Sequence, residues 1–180
     1  VIWFTADWHL NHKAIIGYVK RPFKGTDEMN AALIGMYQSL VKPEDTVYFL
    51  GDFALYTSPL EMDLILRSLP GTKILIMGNH DRYTRKKFIE CGFAEATRWE
   101  VFNDGEFILV HDPAPACGGD PKQRWLVGHV HGMFKKINNA LNVGVDVWDY
   151  KLVSIDQVRK EFNGSNTVCG PTHQDQDVPR

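Results

Sequence analysis

The sequence predicts a single α/β domain whose second half is richer in strands than its first. Three observations lead there. Short apolar runs of strand length alternate with stretches whose apolar residues recur at helical spacing. From about residue 96 onward the helical stretches nearly disappear. The residues able to do chemistry fall straight after the apolar runs, where open α/β sheets form their binding crevices.

Residues 1–6 read as a first strand and 12–20 as a helix. Residues 27–41 repeat Met29, Leu33, Ile34, Met36, Tyr37 and Leu40 at helical spacing, with Thr26 as the expected cap. Pro43-Glu44-Asp45 turns the chain into a second strand at 46–50. Ser58 begins another helix with Pro59 at the favoured first position, and Pro70-Gly71 stops it. A third strand at 72–77 is followed by a helix with a basic outer face at 83–91. Strands at 97–102 and 107–111 flank the turn Asn103-Asp104-Gly105. A Pro/Gly-rich loop at 112–122 leads to strands at 125–128 and 140–145 and a last helix at 154–162. Residues 163–180 are polar and patternless and read as a disordered tail, which leaves 1–162 as one domain.

The chain of 180 residues is long enough to bury a core, and its formal charge of −2 argues against extended nucleic-acid binding, which usually needs a basic stripe. It leaves room for a small nucleotide or a strand end as substrate. Cys91, Cys117 and Cys169 have no pairing or metal-type spacing and read as reduced thiols, which points to the cytoplasm. No run reaches membrane-spanning length, so no membrane partner is expected.

Five separated stretches carry the chemistry: Asp7-Trp8-His9, Gly51-Asp52, Gly78-Asn79-His80-Asp81, His111 and Gly128-His129-Val130-His131. Asp7 and His9 lie two apart after a strand, so extended backbone would turn both to one side. The same reasoning makes His129 and His131 a pincer. Gly51 allows close backbone approach to Asp52, a carboxylate able to bridge two cations. Asn79 offers a neutral oxygen, and Asp81 stands next to His80 where it could hold the imidazole. Alone, each stretch reads as well as a turn, a cap or a strand edge. Jointly they supply carboxylates, imidazoles and one amide, the donor set of a two-metal hydrolase. Oxygen and nitrogen donors without thiolate favour Mn²⁺ or Fe²⁺, with Zn²⁺, Ni²⁺ or Co²⁺ as alternatives.

In this order and spacing the stretches resemble the calcineurin-like metallophosphoesterase superfamily, whose D-x-H, G-D, G-N-H-[DE], H and G-H-x-H pattern runs here from Asp7 to His131. The resemblance implies two packed mixed β-sheets flanked by helices, a four-layer αββα arrangement. It implies that Asp7, His9 and His131 hold a first metal and Asn79, His111 and His129 a second, with Asp52 bridging. By the same resemblance His80 is the catalytic histidine, Asp81 orients it, and a metal-bridging hydroxide attacks the phosphoester.

After Asp52 the sequence reads Phe53-Ala54-Leu55-Tyr56, without the D-R-G extension of the protein phosphatases. This favours phosphodiesters (small or cyclic nucleotides, or nucleic-acid ends) and resembles the compact bacterial and phage phosphoesterases, as does the later Asn142-Val143-Gly144-Val145-Asp146. A phosphomonoesterase acting on nucleotides or phosphopeptides is the alternative, and a non-catalytic scaffold of the same fold is the alternative of another class. Asn11, His12, Arg21 and Arg82 are the candidate substrate contacts, and Trp8 and Trp125 could stack on a base.

Overall fold

The computed structural model describes residues 1–117, 120 and 122–163. In chain order the elements are β1 (Ile2–Thr5), α1 (Lys13–Tyr18), α2 (Thr26–Leu40), β2 (Thr46–Phe49), α3 (Pro59–Ser68), β3 (Thr72–Ile76) and α4 (Arg85–Glu90). There follow β4 (Glu95–Thr97), β5 (Trp99–Phe102), β6 (Phe107–Val110), α5 (Ala114–Cys117), β7 (Trp125–Val127), β8 (Lys136–Ile137), β9 (Ala140–Asn142), β10 (Val153–Ser154) and α6 (Ile155–Asn163). The expected tail at 163–180 lies outside the described residues, apart from Asn163, which ends α6.

The strands form two mixed five-stranded sheets, ordered β10-β1-β2-β3-β4 and β5-β6-β7-β9-β8. In the first, β1 to β4 run parallel and β10 antiparallel; in the second, β6, β7 and β9 are parallel between antiparallel β5 and β8. Inward residues of both sheets share one core, with Phe4, Tyr48 and Ile76 from the first meeting Phe102, Phe107 and Leu126 from the second. A second core lies between the first sheet and its helices, built on Phe49, Phe53, Leu33, Met62 and Phe88. Helix α6 adds Val158 and Phe162 to the inter-sheet core.

Several element boundaries differ from the sequence expectation for physical reasons. The run at 97–102 is two strands, because the chain leaves the first sheet at Thr97 and joins the second at Trp99, with Arg98 as the crossing. Strand propensity is indifferent to which sheet a residue joins. Helix α2 is capped by the extended Gly25, not by Thr26, and Glu28 reaches back to accept from the Lys24 amide at 2.6 Å. Ser58 caps α3 as expected, its hydroxyl accepting from the Glu61 amide, whereas α4 starts late, behind a Thr84 cap. The short strands β8 and β10 and the helix α5 carry too few residues for a periodic signal.

The C-terminal ends of the central strands meet at one edge of the sandwich. Beyond β1 and β2 the chain stays paired, with Asp7, His9 and Leu10 donating to the carbonyls of Gly51, Asp52 and Phe53 at 2.9–3.1 Å. Gly128 donates to the His111 carbonyl at 3.0 Å, which ties the ends of β6 and β7. A single bridge between Ala6 and Gly144 then joins the first sheet to the second. All five chemical stretches are gathered around that joint.

Candidate metal centre

The Asp7-Trp8-His9 loop works by splitting its side chains. Trp8 is fully buried against Tyr37, Phe49 and Phe53, with its indole N–H on Thr5 Oγ1 at 2.9 Å, so it is a core anchor and not a base-stacking surface. Asp7 and His9 turn the other way. They do so by left-handed backbone (φ 59° and 52°), not by the extended geometry the spacing suggested. His129 and His131 repeat this, with φ 72° and 47°, and Asp52 has φ 55°. Strain of this kind, of order 1–2 kcal/mol per residue, persists where surrounding structure fixes it and concentrates at functional sites.

Two groups result. One oxygen or nitrogen from each of Asp7, His9 and His131 lie within 4.8 Å of one another, and the same holds for Asp52, His111 and His129. Asn79 joins the second group, its Oδ1 lying 3.0 Å from both His111 Nε2 and His129 Nδ1. Asp52 stands between them, with Oδ2 at 3.4 Å from His9 Nε2 and at 3.4 Å from His111 Nε2. Asp52 Oδ1 accepts from the His80 amide at 2.9 Å, which pins the carboxylate.

The residues fit cations. His9 Nε2 is buried and has no hydrogen-bond partner, a costly arrangement for a ring nitrogen unless a ligand answers it. Two of the other imidazoles have their outer nitrogen occupied. His111 Nδ1 lies 2.7 Å from the Leu50 carbonyl and His131 Nδ1 lies 2.8 Å from Asp146 Oδ2, so each Nε2 is left facing the site. Without a cation the charges are badly balanced. Burial pushes the Asp7 carboxyl up to about 6 and drives His9 down to about 3. Burial would lower His111 too, but the hydrogen bond and charge of Asp52, with the charge of Asp7, raise it to about 9. Burial likewise opposes ionisation of Asp52, yet His111, the His80 amide and His9 together hold that carboxyl at about 2.

Two glycines let these parts approach. A Cβ on Gly78 would lie 2.3 Å from Asp52 Oδ1, and one on Gly144 would lie 2.6 Å from Asp7 Oδ2. Neither distance is physically tolerable for a real side chain.

Some expected roles change. Asp81 does not orient His80. Its buried carboxylate accepts from the amides of Asp52, Phe53 and Gly78 at 2.8–3.1 Å, so it clips the second and third ligand loops together. The His80 ring is outside both groups and stands 5.2 Å from His9 and 5.9 Å from His12, centre to centre. Arg21 is buried and not available to substrate. Its guanidinium forms a fork on Asp146 at 2.8 and 2.9 Å and donates to the carbonyls of Trp8 (2.9 Å) and Asp7 (2.6 Å). Asn11 is similarly engaged, donating to Thr57 and Glu61 and exchanging bonds with Asn30. His12 and Arg82 remain at the mouth: His12 Nδ1 is 3.2 Å from His9 Nδ1, and Arg82 is exposed.

Sequence reasoning missed the supporting residues Asp146, Asn142 and Gly144. Asn142 donates to the carbonyls of His131 and Phe134 at 2.7 and 3.0 Å and accepts from the Gly144 amide at 2.7 Å. Asp146 joins His131 to Arg21. The signal was present in Asn142-Val143-Gly144-Val145-Asp146, but nothing local tells which distant groups these residues serve.

A family model described as calcineurin-like phosphoesterase matches residues 1–161. The chain belongs to that family. Among its relatives, an uncharacterised protein of Methanocaldococcus jannaschii is 34% identical over 176 residues, 93% of this chain and 94% of that one. The gene 66 protein of Mycobacterium phage L5 is 26% identical over 190 residues, covering 87% and 91% of the two chains. The crystal structure of a protein of unknown function from Aquifex aeolicus superimposes with a TM-score of 0.67 at 26% identity, covering 89% of this chain and 98% of that one. Membership of the calcineurin-like phosphoesterase family, together with the two ligand groups, makes this a metal-dependent hydrolase of phosphoesters. None of its described helices is long and apolar enough to cross a membrane.

Proposed function

We propose that this calcineurin-like phosphoesterase is a dinuclear phosphodiesterase. Asp7, His9 and His131 would hold one divalent cation, Asn79, His111 and His129 the other, and Asp52 both. The observation that carries this is the placing of Asp52 Oδ2 at equal distance from one imidazole of each group. The oxygen and nitrogen donors suit Mn²⁺ or Fe²⁺. When bound, such a pair supplies Lewis acidity to the phosphoryl oxygens and an activated water.

The protein's own groups do the rest. Asp146 and the Leu50 carbonyl hold His131 and His111 in the tautomer that offers Nε2 inward. His80, beside both groups but in neither, is positioned to donate a proton to the leaving oxygen. Asp81 fixes the loops that set the distance between Asp52 and His80. Leu55 and Tyr56, where protein phosphatases of this family carry Asp and Arg, bring no guanidinium, so none there meets the extra charge of a monoester. That favours diesters, from nucleotides or strand ends. The free Cys91 and Cys117 suit a reducing compartment such as the cytoplasm.

The test is turnover of bis-p-nitrophenyl phosphate against p-nitrophenyl phosphate with Mn²⁺. Diester turnover should dominate. His80→Ala should keep about two metals per chain and lose at least ~100-fold in rate, as expected for a general acid, whereas Asp52→Asn should lose metal as well. Full diester activity in both variants would refute the assignment.

A further inference from the structure

Beside the metal centre lies a cavity of about 440 Å³ walled by Tyr56, His80, Arg82 and Tyr83, among others. A second, of about 790 Å³, begins at the same Arg82 and Tyr83 and ends at Arg98 and Trp99, where the chain crosses between the sheets. Two shared walls make the cavities one groove running outward from His80. Two aromatic faces are left out of the core along it, Tyr56 at 83% exposure and Trp99 at 60%. Tyr56 is held in that position by left-handed backbone, φ 55°. The acids in the groove are engaged: Glu95 is paired with Arg85 at 2.7 Å, and Glu100 accepts from the Tyr48 hydroxyl at 3.3 Å. Arg82 and Arg98 are both exposed and form no ion pair among the described residues.

We propose that this groove binds a short single-stranded oligonucleotide, with bases stacked on Tyr56 and Trp99 and backbone phosphates on Arg82 and Arg98, leading the strand away from the metal centre. The inference rests on the phosphodiesterase reading and names its substrate. Guanidinium and aromatic groups lining the same groove suit the phosphates and bases of a strand, and stacking is tolerant of sequence. The occupant is short and single-stranded because a duplex needs a wide basic face, and the groove offers two guanidiniums free of ion pairs among the described residues. A mononucleotide would leave the outer cavity, with Arg98 and Trp99, unused.

The experiment compares kcat/KM with Mn²⁺ for dithymidylate, tetrathymidylate and bis-p-nitrophenyl phosphate in the wild type and in an Arg98→Ala/Trp99→Ala variant. Both residues are exposed, so the variant should fold. The wild type should prefer the tetramer to the dimer at least tenfold, and the variant should lose that preference. In parallel, fluorescein-labelled pentathymidylate is titrated into metal-free protein by anisotropy. The variant should bind at least tenfold more weakly, and removal of each phosphate-bound arginine should reduce the slope of log K against log salt by about 0.7. Absence of a length preference, or its survival in the variant, overturns the groove while leaving the diesterase reading intact. Absence of turnover of every diester overturns the diesterase reading, and the anisotropy titration then judges the groove alone. Trp99 and Val101 share an exposed edge strand. If Trp99→Ala halves the mass seen by light scattering and leaves pentathymidylate binding unchanged, the face joins two copies of this chain and the proposal fails.

Discussion

Replacing Gly78 with alanine isolates the contribution of Asp52 placement. No positive φ attaches to Gly78, so alanine meets no backbone penalty there; the whole effect is steric. Its Cβ would lie 2.3 Å from Asp52 Oδ1 and 2.7 Å from the Asp52 amide nitrogen. Comfortable carbon–oxygen contacts settle at about 3.3–3.6 Å, so the carboxylate must retreat by about 1 Å. Asp52 cannot retreat freely, because the His80 amide holds Oδ1 and Asp81 holds its own amide. Overpacking of this sort costs about 1–3 kcal/mol in stability. A misplacement of ~1 Å at a reacting site costs about 100-fold in rate. The assay is diester turnover with saturating Mn²⁺, with metal content and melting temperature measured on the same preparation. The expected result is a folded protein with activity down at least ~100-fold and less metal retained. Activity within about threefold of wild type, which is under 1 kcal/mol, would refute the view that Asp52 position limits this centre.

Four further outcomes are expected. Gly35→Ala, at an exposed position of α2 with nothing within 4 Å of the new Cβ, should stabilise the fold by about 0.5–1 kcal/mol in urea titration without altering activity. Asp146→Asn should weaken retention of one of two metals by about 10–100-fold, read by competition with a chelator, because His131 loses its anionic partner. In the same region, Arg21→Met leaves Asp146 buried beside no cation and should cost about 3–5 kcal/mol in unfolding free energy. Chelator treatment of the wild type should lower the melting temperature by roughly 5–10 °C relative to protein at ~100 times the metal dissociation constant, and an unchanged melting curve would argue that the groups hold no cation.

Helices with strong local signals were legible in the sequence. Ser58-Pro59 marks its own helix start, and Met29, Leu33 and Tyr37 do lie on the buried face of α2. The ligand stretches were legible because strand ends and donor residues coincide in sequence as they do in space. What failed was anything decided by a distant partner. Arg21 read as a substrate contact, yet its partner Asp146 is 125 residues away. Asp81 stands next to His80 in sequence but serves two amides of the Asp52 loop and the Gly78 amide of its own. The strands β4 and β5 read as one because a change of sheet at Arg98 leaves no mark on propensity. Even the correct pairing of Asp7 with His9 came from the wrong conformation.

That conformation restricts which other residues the centre can accept. Asp7, His9, Asp52, His129 and His131 all occupy the left-handed region, which aspartate, asparagine, histidine and glycine tolerate far better than other residue types. Three of those four are also oxygen or nitrogen donors, so the backbone and the cations select the same short alphabet. A swap of His131 to Asp or Asn leaves the turn intact, while Cys or Glu must force the chain through a penalty before any coordination begins. Attempts to retune this centre should therefore move readily among hard and borderline metals and stall at thiolate-seeking ones, for a reason that lies in the main chain.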